Sequence, residues 1–320
     1  LTDGDGMEEQ FSYDLAQARV AVIVNPGSGR QDGDAIAMRI RDRLEARVAA
    51  FEIRRVARGA DLPAAAGEAL AAGSDLVVAI GGDGTQAAIA SVLAGTDAVM
   101  AVVPGGTFNY FSRDLGIGQS VDEALAVLDR PALRRIDTGE INGMLFLNNV
   151  SFGAYPEILK RREDIYRRWG RSRLAAYWSA VVAMWNLRHP IRLTLRAEGK
   201  EHHFTTALAF VARSAYQLEN FGLDGAADVR AGRLAVLVAR ARYPWPLVRS
   251  ALRLALGNSA RYQDFDLVSA EEMEIEALPR HEYIAHDGEK CWMDSPFRIR
   301  VRAGALRVLV PAADGGPDRE

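Results

Sequence analysis

The chain has 320 residues, 49% of them hydrophobic and 25% charged, with a formal net charge of −3. That size and apolar content suffice for a full core and suggest two domains; they exclude an overall disordered chain, and the near-neutral balance gives no global argument for nucleic acid as a partner. A single cysteine, Cys291, excludes an internal disulfide framework and fits a reducing compartment.

Residues Leu1 to Gln10 are acidic and lack a basic segment followed by an apolar one, so they do not read as a secretory signal. Residues 1–15 are expected to be a flexible tail. From Arg19 to Arg130 the chain repeats strand, glycine-rich turn and helix, the pattern of a parallel sheet with helices packed on it. Strands are predicted at Val20–Val24, Phe51–Val56, Leu76–Ile80 and Val99–Val103, and helices at Asp34–Val48, Leu62–Ala72, Thr85–Ala94 and Ser120–Leu128.

Three of these strands end in turns suited to phosphate: Asn25 to Arg30, Gly81 to Thr85, and Pro104 to Thr107. Carboxyl ends of parallel strands share one edge, so the three turns should converge there. In the first turn Ser28, Gly29 and Arg30 could hold phosphate through backbone N–H groups and a guanidinium; a tight strand-to-helix turn with a solvated arginine fits them too. A P-loop is excluded, because no lysine follows the last glycine at the required spacing. The second turn places Asp83 among Gly81, Gly82, Gly84 and Thr85. A bare carboxylate repels a polyphosphate, so the arrangement makes most sense with a divalent cation between them. The same stretch fits the dinucleotide fingerprint, but no acid follows about 20 residues later to hold a ribose.

Near Asp137 the texture changes to short alternating apolar runs, as in an antiparallel sheet or sandwich: Ile191–Leu195, Phe204–Val211, Leu234–Val238, Met273–Ala277 and Phe297–Val301. The last run, Ala305–Val310, is expected to return to the first domain. No stretch reaches about 18 apolar residues without charge, so no transmembrane helix is predicted. Residues 157–173 carry seven basic side chains, including Arg161, Arg162, Arg167 and Arg168, against three acids, with Trp169 among them. An uncharged run with Trp178 and Trp185 follows, and a second basic and aromatic stretch surrounds Trp245. Basic residues beside interfacial aromatics form the pattern of a segment lying on an anionic membrane surface; a helical hairpin packed on the sandwich is the alternative. The five histidines show no metal-ligand spacing, although His286 lies near Glu289.

Taken in order, Val24-Asn25-Pro26-x-Ser28-Gly29, Gly81-Gly82-Asp83-Gly84-Thr85, Pro104-Gly105-Gly106-Thr107-Phe108-Asn109, Asn148-Asn149-x-Ser151-x-Gly153 and Asp287-Gly288-Glu289 resemble the diacylglycerol kinase catalytic family. That family also covers bacterial lipid kinases, sphingosine kinases and ceramide kinases. The resemblance implies an α/β fold: an N-terminal three-layer parallel-sheet nucleotide domain over residues 16–136, completed by a strand at 305–311. A C-terminal antiparallel β-sandwich over 137–304, with a helical insertion at 157–188, would take the lipid acceptor.

It further implies ATP as co-substrate, held between the two domains, and Mg²⁺ acting through Asp83. Gly82, Gly84, Thr85, Gly106 and Thr107 would lie along the phosphates, with Asn25 and Asn109 supporting the loops or the nucleotide. Glu289 would be the general base; from the residues alone, Asp287-Gly288 is equally a type I′ hairpin turn with a solvated glutamate beside it.

Three departures stand out. Ala87 and Ala88 replace an asparagine and a glutamate, Tyr110 replaces an aspartate, and Ala231-Gly232 stands where a structural metal site usually has an aspartate-glycine pair. The expected activity is phosphorylation of diacylglycerol at the inner face of a membrane. A ceramide or sphingoid-base kinase, a soluble kinase like NAD kinase and a non-catalytic sensor remain alternatives, and the sequence leaves the oligomeric state open.

Overall fold

A computed structural model of the chain describes residues 10–25, 33–153, 190–241 and 264–312. The chain divides into two compact units, residues 1–138 with 302–320, and residues 139–301. The segments read as membrane-contacting, with Arg161, Arg162, Arg167, Arg168, Trp169, Trp178, Trp185 and Trp245, lie outside the described residues, as do Ser28, Gly29 and Arg30.

In the first unit the elements are β1 (Phe11–Ser12), β2 (Arg19–Val24), α1 (Gly33–Leu44), β3 (Ala50–Arg55), α2 (Leu62–Ala71), β4 (Leu76–Gly81), α3 (Asp83–Leu93), β5 (Val99–Pro104), α4 (Tyr110–Asp114), α5 (Val121–Ala126) and the start of β6 (Pro131–Ile141). Buried on both faces, β2, β4 and β5 are continuous apolar runs rather than alternating ones. The parallel order is β3-β2-β4-β5, so the chain reverses its direction of travel across the sheet between β2 and β4. Turns at a reversal of this kind leave a crevice at the carboxyl edge, where open α/β sheets bind ligands. Helices α2 and α3 pack together on one face. Ion pairs from Arg39 to Asp122 and from Arg43 and Arg47 to Asp129 hold α1 to the α5 region.

Residues 11–15, expected in a loose tail, are instead built in. Phe11 and Ser12 pair with Leu133 and Ala132 of β6, and Leu15 is buried. Burial, aided by Asp75 and Asp14, pushes the Tyr13 phenol up to about 12.

The second unit holds the rest of β6, then β7 (Met144–Phe146), β8 (Asn149–Gly153), β9 (Ile191–Ala197), β10 (Lys200–Thr206), β11 (Leu208–Ala212), α6 (Ala215–Asn220), α7 (Ala226–Arg230), β12 (Leu234–Ala239), β13 (Phe265–Ala270), β14 (Glu272–Leu278), β15 (His281–His286) and β16 (Glu289–Asp294). The last strand, β17 (Phe297–Pro311), gives its residues to Val301 to this unit. Its later part lies parallel to β5 in the first, with Arg307 opposite Val99. The expected strands at Phe297–Val301 and Ala305–Val310 are therefore one strand.

One sheet of the sandwich runs β10-β9-β14-β17 and the other β13-β12-β11-β8-β15-β16. Their inner faces close on Phe146, Phe152, Val211, Val236, Ile275, Ile284 and Phe297, and the Phe152 and Phe297 rings meet at 4.9 Å. Helices α6 and α7 cover the outer side of β11 and β12 through Leu218 and Val229. The strand expected over Phe204–Val211 breaks at Ala207, where the chain passes from one sheet to the other. The Thr206 hydroxyl turns that corner, donating to the Ala239 carbonyl at 2.7 Å and accepting from Leu208 N–H at 3.1 Å.

Glu282, on β15, shares the inward side with Ile284; it is 8% exposed and its Oε1 is buried with no hydrogen-bond partner among the described residues. Burial raises its pKa, partly offset by His281. The unfolded carboxyl ionises first as pH rises, so folding loses stability from the ordinary glutamate range up to the folded pKa. Glu282→Gln is predicted to melt with wild type at about pH 4 and above it at about pH 8, measured by thermal denaturation.

Candidate active site

The second and third turns meet through their backbones. Gly105 N–H donates to the Gly81 carbonyl at 2.9 Å, and the same carbonyl accepts from Gln86 Nε2 at 2.9 Å. A Cβ on Gly106 would stand 2.7 Å from the Gly82 Cα, and one on Gly105 3.3 Å from the Gly81 Cα. Two glycine pairs therefore press together where side chains would hold them apart, leaving amide groups unscreened at the sheet edge. Asn25 follows the end of β2, whose last residue, Val24, lies opposite Ile80.

Asp83 is the first residue of α3, two residues earlier than the predicted helix start. Its carboxylate faces the N–H groups of Phe111, Asn109 and Tyr110, accepting from Phe111 at 3.1 Å, so it laces the second turn to the third. Burial pushes its pKa above the usual carboxylate range, against the pull of those donors. Thr85 is buried in the first turn of α3, and a Cβ at Gly81 would strike its hydroxyl at 2.6 Å.

Asn109, in the left-handed region at φ 53°, closes the third turn on itself. Its Oδ1 accepts from Gly106 N–H at 2.9 Å, while its Nδ2 donates to the Gly106 carbonyl at 3.2 Å and to Gln119 Oε1 at 3.1 Å. Gln119 is in turn fixed by the Ile117 carbonyl and the Ser112 hydroxyl. Both ends of the Asn109 amide are thus engaged within and beside this loop. Arg113 Nε donates to the Phe108 carbonyl, and the Phe108 and Tyr110 rings stack in parallel at 5.5 Å. Nothing in the sequence marks Gln86 and Gln119: glutamines are common, and their bonds to Gly81 and Asn109 form only once the turns have folded.

The second unit carries Glu289. Asp287 and Gly288, with φ 47° and 88°, form a two-residue turn with both φ positive, and His286 and Glu289 face each other across it. The turn is more than a hairpin. The Asp287 side chain is buried, and its carboxylate accepts from Leu147 N–H at 2.6 Å, Asn148 N–H at 2.7 Å and Asn149 N–H at 3.1 Å. Asp287 N–H returns a bond to the Asn149 carbonyl at 3.0 Å, and Asn149 Nδ2 donates to Gln217 Oε1 at 2.9 Å. The Asn148-Asn149 segment is thus the seat of the turn that presents Glu289, which itself is exposed. Burial pushes the His286 imidazole down, against the opposing influence of Glu289, which favours a neutral ring. Ala231 caps α7, and among the described residues no three His, Cys, Asp or Glu side chains gather as a metal cage.

Residues 19–141 match the model of the diacylglycerol kinase catalytic domain, and residues 148–310 that of the YegS C-terminal NAD kinase beta sandwich-like domain. A Pseudomonas fluorescens Pf0-1 protein, named a probable lipid kinase YegS-like, is 31% identical over 252 residues, covering 76% of this chain and 78% of its own. The chain belongs to the YegS-like family of bacterial lipid kinases. A relative of the same name from Pseudomonas aeruginosa PAO1 is 50% identical over 88 residues, which span 27% of this chain and only 29% of the relative's length. Among solved structures, a diacylglycerol kinase from Bacillus anthracis strain Sterne superposes with a TM-score of 0.68 at 22% identity, over 92% of this chain and 97% of that one. At that identity the likeness speaks for the fold.

Gly106→Ala is predicted to cost about 1–3 kcal/mol by overpacking and to weaken ATP binding about tenfold, read by thermal melts and calorimetric titration. Asp287→Asn keeps a residue tolerant of positive φ but loses the charge that three N–H groups share; it is expected to destabilise the chain by about 2 kcal/mol in denaturant titrations.

Proposed function

We propose that this chain is an ATP-dependent lipid kinase that transfers the γ-phosphoryl group of ATP to a membrane lipid hydroxyl, with diacylglycerol as acceptor and phosphatidic acid as product. The observation that carries the reading is the packed pair of glycine turns laced by Asp83, in a chain of the lipid kinase family. Unscreened amides at the edge of a parallel sheet bind the phosphates of a nucleotide.

The donor set suits a cation that arrives with its substrate. Mg²⁺ keeps several waters and takes one or two carboxylates plus phosphate oxygens, and a carboxylate offers about four lone-pair sites, not all of which the N–H groups of Phe111, Asn109 and Tyr110 use. When bound, Mg²⁺ would offset the negative charge of the triphosphate, with Asp83 as its protein ligand. The glycine amides would orient the phosphates, while Thr85 and Thr107 flank them.

Glu289 would accept the acceptor hydroxyl's proton as that oxygen bonds to the γ-phosphorus. The bond to the bridging oxygen breaks, and ADP leaves with its electron pair. Because the acceptor is a bilayer lipid and the donor is ATP, the enzyme would work peripherally at the cytoplasmic face of the membrane.

The test is transfer of labelled γ-phosphate, with Mg²⁺, to diacylglycerol, ceramide, sphingosine and NAD, the lipids presented in anionic vesicles. Label in phosphatidic acid is expected. Label in ceramide or sphingosine would change the acceptor, label on NAD alone would make this a soluble kinase, and bound ATP without transfer would make it a sensor. Glu289→Ala is predicted to lower kcat by about 10²- to 10⁴-fold with ATP affinity unchanged. Asp83→Asn is predicted to abolish Mg²⁺-dependent turnover; normal rates in that variant would remove Asp83 from the metal role.

A further inference from the structure

The hairpin that presents Glu289 has a second face. Alternation puts Glu282, Ile284, Cys291 and Met293 on the inward side, and His281, Tyr283, Ala285, Lys290, Trp292 and Asp294 on the other. Three rings on that outer side form one cluster. The Trp292 and His281 rings lie parallel at 4.8 Å, and Tyr283 meets Trp292 at 5.1 Å, tilted by 48°. His281 is held in place by Asp294 at 2.6 Å.

The cluster is open to solvent. Trp292 is 60% exposed, more than any other large apolar side chain among the described residues. Leu278, from which the chain enters the hairpin through Pro279 and Arg280, is 56% exposed. Exposing a stacked tryptophan costs the hydrophobic free energy its burial would recover, so the face is built to be covered.

We propose that this outer face of β15–β16 docks on the interfacial layer of a phospholipid bilayer. The chemistry fits that occupant. Tryptophan and tyrosine combine an apolar body with a polar edge and settle at the headgroup level, and Arg280 and Lys290 complement anionic headgroups. A second copy of the chain fits less well: a stable protein interface takes roughly 20–30 residues a side, whereas two six-residue strands offer five side chains here, Ala285 being buried. The choice of a bilayer also rests on the lipid kinase reading, since a ring pair three rungs from Glu289 would keep that hairpin at the surface from which the acceptor hydroxyl comes.

The experiment is sedimentation of the whole chain with sucrose-loaded vesicles of phosphatidylcholine and phosphatidylglycerol, with neither ATP nor acceptor lipid. Wild type is expected to partition onto them. The double variant Tyr283→Ser with Trp292→Ser should partition about tenfold less, at unchanged ATP affinity and melting temperature. Lys290→Glu, an exposed-face change that carries the test if the double variant fails to fold, should weaken binding to these vesicles by about fivefold or more and leave binding to neutral ones alone.

Wild type that stays in solution, or variants that partition like wild type, would overturn the proposal. So would a change of oligomeric state in the ring variant by sedimentation velocity, which would assign the face to a second copy. Because the readout involves no phosphoryl transfer, vesicle binding through Trp292 in a chain that phosphorylates no lipid would overturn the kinase reading and leave this one standing.

Discussion

Gly81-Gly82 and Gly105-Gly106 touch backbone to backbone, and the first unit's chemistry depends on that contact. Strand order alone brings the ends of β4 and β5 side by side; it does not bring them within van der Waals reach. That contact leaves little or no room for a side chain at Gly82, Gly105 or Gly106; a Cβ on Gly106 would sit 2.7 Å from the Gly82 Cα. Once the turns touch, the remaining groups have defined tasks. Asp83 ties one turn to the amides of the other, Asn109 fixes the third turn's shape, and Gln86 satisfies the Gly81 carbonyl. Amides in such glycine turns, with no side chains to screen them, are suited to an anion, as the proposed phosphate site requires.

The second unit solves a different problem, holding an exposed carboxylate at a defined place. A two-residue turn is mobile when nothing but its own hairpin supports it. Asp287 removes that freedom by accepting three N–H bonds from residues about 140 positions earlier in the chain. The same side chain that satisfies the β7–β8 connection therefore sets where Glu289 stands, so stability and the placement of Glu289 share one buried group.

Much of this is legible in the sequence. Continuous apolar runs ending in glycine mark the parallel strands and two of the described turns, because strands buried on both faces leave that pattern. The I′ turn at Asp287-Gly288 is legible from its dipeptide. The long-range polar contacts are not. Nothing near Asp287 points to Leu147, and nothing near Asp83 points to Phe111, because those bonds exist only after the sheets assemble. Phe204–Val211 reads as one strand for a similar reason: its corner is made by a threonine hydroxyl and not by glycine or proline. Residues 11–15 read as part of a tail because two short pairings with β6 leave no periodic signal. The Trp292 cluster leaves no mark either, since a lone tryptophan in a six-residue strand carries no pattern of its own.

The most direct test of the account is amide hydrogen exchange on the whole chain with and without ATP and Mg²⁺. Packed glycine turns that bind the phosphates predict slowed exchange over residues 81–86 and 104–109, lost when Gly106 becomes alanine. Protection confined to other parts of the chain, with these two turns unchanged, would contradict it.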